Sequence, residues 1–301
     1  MARTIRTTVM TALCCAVVGA GLVGCVDITE TEPRPASTTG ASPSGSGPLS
    51  GTKKIDVKGR SVNVSCSGDA VDGRPVVVLM AGLGDGLDKM AALQKSLSEK
   101  DRVCSFDRLG EGASDKPTGA QTVADSGKVL TAVLDRVAGD GPVVLAGHSL
   151  GGLLAARYAP DHQDRVKGLV LMDATSPTTT ADIAKVIPDS ADDEGAELRA
   201  QTLAVNEGEN PEMLVVPDGK VRSAGDIPVE VIQHGTPYLA EVPTYGSGLE
   251  EVWSEGQQQW LAVSPGRAVL TTAAKSGHYI YADRADLAVK AIQRVTTQAA
   301  G

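Results

Sequence analysis

Aromatic side chains are scarce in this 301-residue chain: a lone phenylalanine, Phe106, accompanies two tryptophans and five tyrosines. Single-stranded nucleic acid is gripped by stacking bases on aromatic platforms along a cationic groove. Both components are lacking, because 28 Lys and Arg face 37 Asp and Glu, a formal net charge of -9. Nucleic acid is thereby excluded as the main partner, and a surface built for anionic headgroups is disfavoured on the same ground. Histidine occurs only four times and cysteine five times. The cysteines of the folded region have no neighbouring histidines to complete a four-ligand zinc set, so no metal is expected. What is present is a globular balance of 42% hydrophobic and 22% charged residues, which rules out whole-chain disorder. The length suits one large α/β domain with appendages.

Arg3 and Arg6 precede an apolar run from Thr8 to Gly24, short for a membrane span but suited to a secretory signal. The run closes on Leu22-Val23-Gly24-Cys25, which resembles the bacterial lipobox, in which the cysteine thiol receives a diacylglyceryl group. Residues 1–24 are therefore expected to be a lipoprotein signal peptide. Cys25 would become the lipidated first residue, and the mature chain would sit on the extracytoplasmic face of a bacterial envelope. A cleaved signal with an incidental cysteine is the plainer alternative. Cys14 and Cys15 leave with the signal, so Cys66 and Cys104 remain. In an oxidising compartment these two can pair; otherwise they are buried free thiols. Residues 25–52, rich in Thr, Ser, Pro and Gly, cannot bury enough apolar surface to fold and read as a flexible tether.

From residue 53 to 301, short β-branched runs alternate with helical patterns, the mark of a mostly parallel sheet covered on both faces. Lys54–Val57 and Ser61–Ser65 flank Lys58-Gly59 as an antiparallel hairpin. Continuously apolar central strands are expected at Pro75–Met80, Pro142–Ala146 and Gly168–Met172, with further strands at Arg102–Phe106, Val229–Gln233 and Arg267–Thr271. Helices are expected from Asp88, as cap, to Lys100, over Thr122–Val137, through Trp253 and Trp260, and over Asp283–Gln298. Between about 175 and 228 the pattern blurs and prolines recur, which reads as an inserted cap.

Gly147-His-Ser-Leu-Gly151 lies between an apolar strand and a helical stretch, the setting in which G-x-S-x-G marks a strained turn that exposes Ser149 as a nucleophile. Side chains at 147 and 151 would collide with neighbouring elements, hence the glycines. A serine hydroxyl needs a base to take its proton. Of the four histidines, His148 adjoins the serine, His162 lies in a polar loop and His234 reads as a polar residue at a strand end. His278, in Ser276-Gly-His-Tyr279 between the last strand and the last helix, is the candidate.

With Phe106-Asp-Arg-Leu-Gly-Glu-Gly-Ala-Ser114, these motifs make the chain from about Ser61 to Val295 resemble an α/β-hydrolase. The resemblance implies a Ser-acid-His triad at the carboxyl ends of the strands and an oxyanion hole of two backbone N–H groups. Carried over, the donors are Leu150, after the nucleophile, and Leu83 in Met80-Ala-Gly-Leu-Gly84, where Ala81 replaces the histidine common in the family. It also makes neighbours of the strands that hold Cys66 and Cys104, which renders a disulfide plausible. The common acid position, in Gly235-Thr-Pro-Tyr238, holds tyrosine instead. Asp173, after the preceding strand, and Glu241, beyond the tyrosine, both satisfy the order Ser, acid, His. Asp107 precedes the nucleophile and reads as structural.

The expectation is a lipid-anchored serine hydrolase in which Ser149, His278 and Asp173 cleave a small-molecule ester through an acyl-enzyme, without a cofactor. An amide or small-peptide hydrolase is the enzymic alternative. A catalytically silent lipoprotein that kept the fold is the alternative from another class.

Overall fold

The computed structural model describes residues 48–300. The signal segment, Cys25 and most of the proposed tether lie outside them. Within them, Leu49 is already buried, and its carbonyl accepts from Arg102 Nη2 at 2.6 Å. The first strand begins at Gly51, two residues ahead of the expected boundary at 53.

Ten strands form among the described residues: β1 (Gly51–Val57), β2 (Arg60–Ser67), β3 (Val76–Met80), β4 (Val103–Phe106), β5 (Gln121–Thr122), β6 (Val143–His148), β7 (Val166–Met172), β8 (Leu214–Val215), β9 (Val229–His234) and β10 (Ala268–Ala273). Eight of them build one sheet in the order β1-β2-β4-β3-β6-β7-β9-β10, antiparallel at β1-β2 and β2-β4 and parallel from β4 to β10. The short β5 and β8 pair separately. The helices are α1 (Leu87–Leu97), α2 (Val123–Ala138), α3 (Leu150–Tyr158), α4 (Thr179–Val186), α5 (Glu194–Asn206), α6 (Gly246–Gln259), α7 (Ile280–Asp283) and α8 (Ala285–Ala299).

Period-2 alternation sends the side chains of the central strands to two cores. Val78 and Met80, with Leu145 and Leu169, pack on one face with Leu130, Val133 and Leu134 of α2 and Leu153 of α3. Val77, Leu79, Val144 and Val170 pack on the other with Met90, Leu93 and Leu97 of α1 and Ile292 and Val295 of α8. Burial on both faces is why these strands are apolar throughout rather than alternating.

Two local expectations change. Asp88 does not cap α1: the N-cap is Gly86, without a side-chain cap bond, and Asp88 lies in the first turn. Asp107 serves instead from the end of β4, where Oδ1 accepts from the Leu87 amide at 2.6 Å and Oδ2 from the Ala113 amide and Asn63 Nδ2, each at 2.8 Å. The region 175–228 is not patternless either, since it holds α4, α5 and β8. Ile183, Ile187 and Leu198 there form a third core with Leu239, Val242 and Leu249.

Cys66 and Cys104 face each other in the antiparallel register of β2 and β4 and are joined by a disulfide. Closing a loop of this length restricts the unfolded chain, and the Cys66→Ala/Cys104→Ala pair should lose about 3 to 4 kcal/mol in urea unfolding. A loss below about 1 kcal/mol would show that the bond restrains little.

Candidate active site

Ser149 stands between β6 and α3 at φ 50° and ψ -121°, a conformation that side chains rarely adopt and that holds the hydroxyl above the sheet edge. Gly147 and Gly151 are required for steric reasons. A Cβ at 147 would lie 2.4 Å from the Gly151 carbonyl group, and one at 151 would lie 2.4 Å from the Met80 carbonyl oxygen. The Ser149 hydroxyl lies 3.4 Å from Thr175 Oγ1. Ser149, His278, Leu83 and Leu150 line one cavity of about 100 Å³, with Thr175, Asp182 and Trp253 also on its wall. A larger cavity of about 420 Å³ lies against α2 and α3, and neither Ser149 nor His278 borders it.

Leu83 and Leu150 have backbone amides without a protein acceptor among the described residues. For Leu150 this follows from its place as first residue of α3, whose N–H has no partner within the helix. For Leu83 it follows from Arg108. That buried guanidinium donates to the carbonyls of Ala81 at 2.6 Å and Gly82 at 2.9 Å. A trans peptide directs its N–H opposite its C=O, so a Gly82 carbonyl held by Arg108 turns the Leu83 amide away from it. Arg108 is fixed in turn by both carboxylate oxygens of Glu212, at 2.9 and 2.7 Å. Glu111 accepts from the Gly84 amide at 2.7 Å. Its carboxyl is pushed up to about 7 by burial and by Glu212, against the pull of Arg108.

Asp173, fully buried at φ 45° just after β7, accepts from His278 Nδ1 at 2.8 Å through Oδ2. Its Oδ1 accepts from the His234 amide at 3.0 Å, His234 Nδ1 at 2.9 Å and Trp253 Nε1 at 3.0 Å. Burial alone would raise the Asp173 carboxyl, but the bonds from His234 and His278 outweigh it and hold the group below the usual carboxylate range. Glu241 is exposed at the end of the 3-10 turn Tyr238–Glu241. Of the two candidate acids, Asp173 is the one brought to His278. Tyr238, in the position where the family commonly carries its acid, places its hydroxyl 3.3 Å from His278 Nδ1.

Two histidines do more than the sequence indicates. His148 Nε2 lies 3.0 Å from the His278 carbonyl oxygen, so it donates there and braces the loop that carries the imidazole. Burial, reinforced by His278, keeps His148 well below the ordinary imidazole range. His234 is not a bland strand-end residue: Nδ1 faces Asp173, and Nε2 lies 2.8 Å from Glu250 Oε2. Two ring nitrogens each facing a carboxylate require both to carry protons. Burial pulls the His234 imidazole down, yet its bonds to Asp173 and Glu250 raise it to about 9. No spacing rule in the sequence points to this, because it depends on the parallel register of β7 and β9.

A pH effect on stability follows. The folded chain keeps the His234 proton up to about pH 9, whereas the unfolded chain releases it near the ordinary 6.5. The folded state thus binds more protons between these values, so this contribution is complete below about pH 6.5 and is lost as pH rises through 9. It amounts to at most about 3 kcal/mol. Raised Glu111 acts in the same direction through pH 7. The melting temperature should therefore fall from pH 7 to 9.5, and His234→Gln should flatten the upper part of that fall. A profile of equal slope in both proteins would contradict the assignment.

The sheet order, the turn at Ser149 and the covering helices define an α/β-hydrolase fold. Residues 75–208 match the family described as alpha/beta hydrolase fold. A protein of Klebsiella pneumoniae whose name describes a carbamate hydrolase is 35% identical over 102 residues, 33% of this chain and 38% of that protein. The mouse (lyso)-N-acylphosphatidylethanolamine lipase is 33% identical over 103 residues, 33% of this chain and 30% of the lipase. The match thus spans 38% and 30% of the length of these two relatives. Among solved structures, the enol-lactonase of Burkholderia xenovorans LB400 superposes with a TM-score of 0.58 at 20% identity, over 81% of this chain and all of that one. At that identity the likeness concerns the fold.

Proposed function

We propose that this chain is a serine hydrolase of carboxylic esters. Ser149 attacks the carbonyl carbon, and its proton passes to Nε2 of His278 as the tetrahedral oxyanion forms against the amides of Leu83 and Leu150. His278 then returns the proton to the departing alcohol. Water, deprotonated by the same imidazole, releases the acid and restores Ser149. Asp173 holds Nδ1–H in place and stabilises the imidazolium. The observation that carries this reading is the 2.8 Å bond from His278 Nδ1 to the buried Asp173, with His278 lining a cavity that is also bordered by the strained Ser149, Leu83 and Leu150. The cavity, about 100 Å³, favours short acyl groups. Relatives named as hydrolases over the matched segment support the general chemistry.

The location is part of the proposal: a chain exported by its signal segment and held by lipid on Cys25 at the outer face of the membrane. A Cys66–Cys104 disulfide suits an oxidising compartment. Mass spectrometry of the mature N-terminus tests this, and an unmodified first residue would overturn it.

A fluorophosphonate probe should label the wild-type chain on Ser149, and short-chain p-nitrophenyl esters should be cleaved faster than aminoacyl amides of similar size. Preferential amide cleavage would transfer the assignment to the amide or peptide hydrolases. Failure to label, in folded protein, would favour a silent binding lipoprotein.

A further inference from the structure

Asp173 serves two imidazoles. Most of what surrounds it is built for the second: Oδ1 takes both the amide and Nδ1–H of His234, and Glu250 closes the far side of the ring at 2.8 Å. Glu250 is itself fixed, since its Oε1 accepts from the amides of Leu239 at 2.7 Å and Ala240 at 3.2 Å. His234 and Asp173 are almost completely buried, so water screens this row of charges weakly. The Ser-His-acid scheme uses neither His234 nor Glu250.

We infer that His234, held as an imidazolium between Asp173 and Glu250, is a positioning residue that moderates the proton affinity of His278 through their shared carboxylate. The inference rests on the reading of Ser149 as nucleophile and His278 as base. A lone buried carboxylate against Nδ1 would favour the protonated form of His278 and keep it occupied by a proton at mildly acidic pH. The His234 cation partly neutralises that carboxylate, so His278 becomes available as a base at lower pH. Its Nδ1 also lies 3.1 Å from Oδ2, so the His234 cation reaches the same oxygen that accepts from His278.

Other groups face the pair and bear on the same titration. Tyr238 contributes its hydroxyl at 3.3 Å from His278 Nδ1, and its ring lies 4.7 Å from that of His234. His148 stands with its ring 4.5 Å from His278 and is neutral through burial. Asp85, on the loop after β3, lies close enough to His278 for their charges to interact. Trp253 donates to Asp173 without carrying charge. Glu250 is the acid that balances His234, so changing one without the other alters the local charge, whereas removing both leaves it nearly unchanged.

The test is the pH dependence of kcat/KM for a short p-nitrophenyl ester in wild type, His234→Gln, Glu250→Gln and the double variant. Glutamine at 234 can still donate to Asp173 but carries no charge, so the acidic limb should move upward by about one pH unit. Glu250→Gln leaves the imidazole protonated at the pH of that limb, because Asp173 is still present, and should move the limb downward. The double variant should fall between them. A purely structural brace would lower the plateau without displacing the limb, and that result in folded His234→Gln would overturn the inference. So would displacement of both single variants in the same direction. If His234→Gln does not fold, Glu250→Gln decides alone, and an unmoved limb refutes the idea. Loss of Ser149 dependence in the wild type would instead overturn the hydrolase reading, so the two failures are separable.

Discussion

Ser149→Ala is expected to lower kcat roughly a millionfold, the largest loss of any single substitution in this chain, because the proposed acyl-enzyme forms on this hydroxyl. The effect should fall on kcat rather than KM, since the walls of the cavity and the Leu83 and Leu150 amides are unaltered. Residual turnover above the rate in water would then measure what oxyanion stabilisation and binding supply by themselves. Stability should barely change: alanine at φ 50° is strained to about the same degree as the serine it replaces. The measurement is steady-state hydrolysis of a short p-nitrophenyl ester alongside thermal melting. A variant that retains a tenth of wild-type kcat would remove Ser149 from the role of nucleophile.

Asp173→Asn should cost about 10⁴ in kcat, because an amide in place of the carboxylate favours the wrong imidazole tautomer of His278 and cannot stabilise the imidazolium. Here a second penalty accompanies the first. The carboxylate accepts from His278, Trp253 and two groups of His234, and its loss leaves the buried His234 cation with only Glu250. Breaking a buried charge pair from one side typically costs about 3 to 5 kcal/mol, so a marked drop in melting temperature should accompany the loss of activity. Glu241→Gln, exposed and with no side-chain bond to Asp173 or His278, should leave both near wild type. If Glu241→Gln were instead the inactive variant, the acid role would pass to that residue.

How much of this could be read beforehand depended on whether the signal was local. Pro75–Met80, Pro142–Ala146 and Gly168–Met172 announce themselves because burial on both faces leaves an unbroken apolar run, and Ser149 because its turn tolerates only glycine two residues to either side. Thr122 likewise caps α2 through a box closed by Asp125 three residues on. Long-range partnerships left no such trace. Asp107 supplies the acceptor for α1 from the end of another strand, so the nearer Asp88 was the natural but incorrect candidate. The cap helices α4 and α5 pack on a small core of their own with the segment from Leu239 to Leu249, which lies far along the chain. The choice between Asp173 and Glu241, and the whole role of His234, turn on strand register: Met172 pairs with Ile232, which brings the residues after them together.

The Arg108–Glu212 pair also bears on how the cap moves. Glu212 belongs to the cap segment, and next to it the Met213 carbonyl accepts from the Gln121 amide at 2.8 Å while β8 pairs with β5. Lifting this segment would strip a buried guanidinium of its carboxylate, at about 3 to 5 kcal/mol, and would occupy well under one molecule in a hundred at equilibrium. The segment is therefore a stationary foot. Amide hydrogen exchange is expected to be slower in residues 210–216 than in α4 and α5.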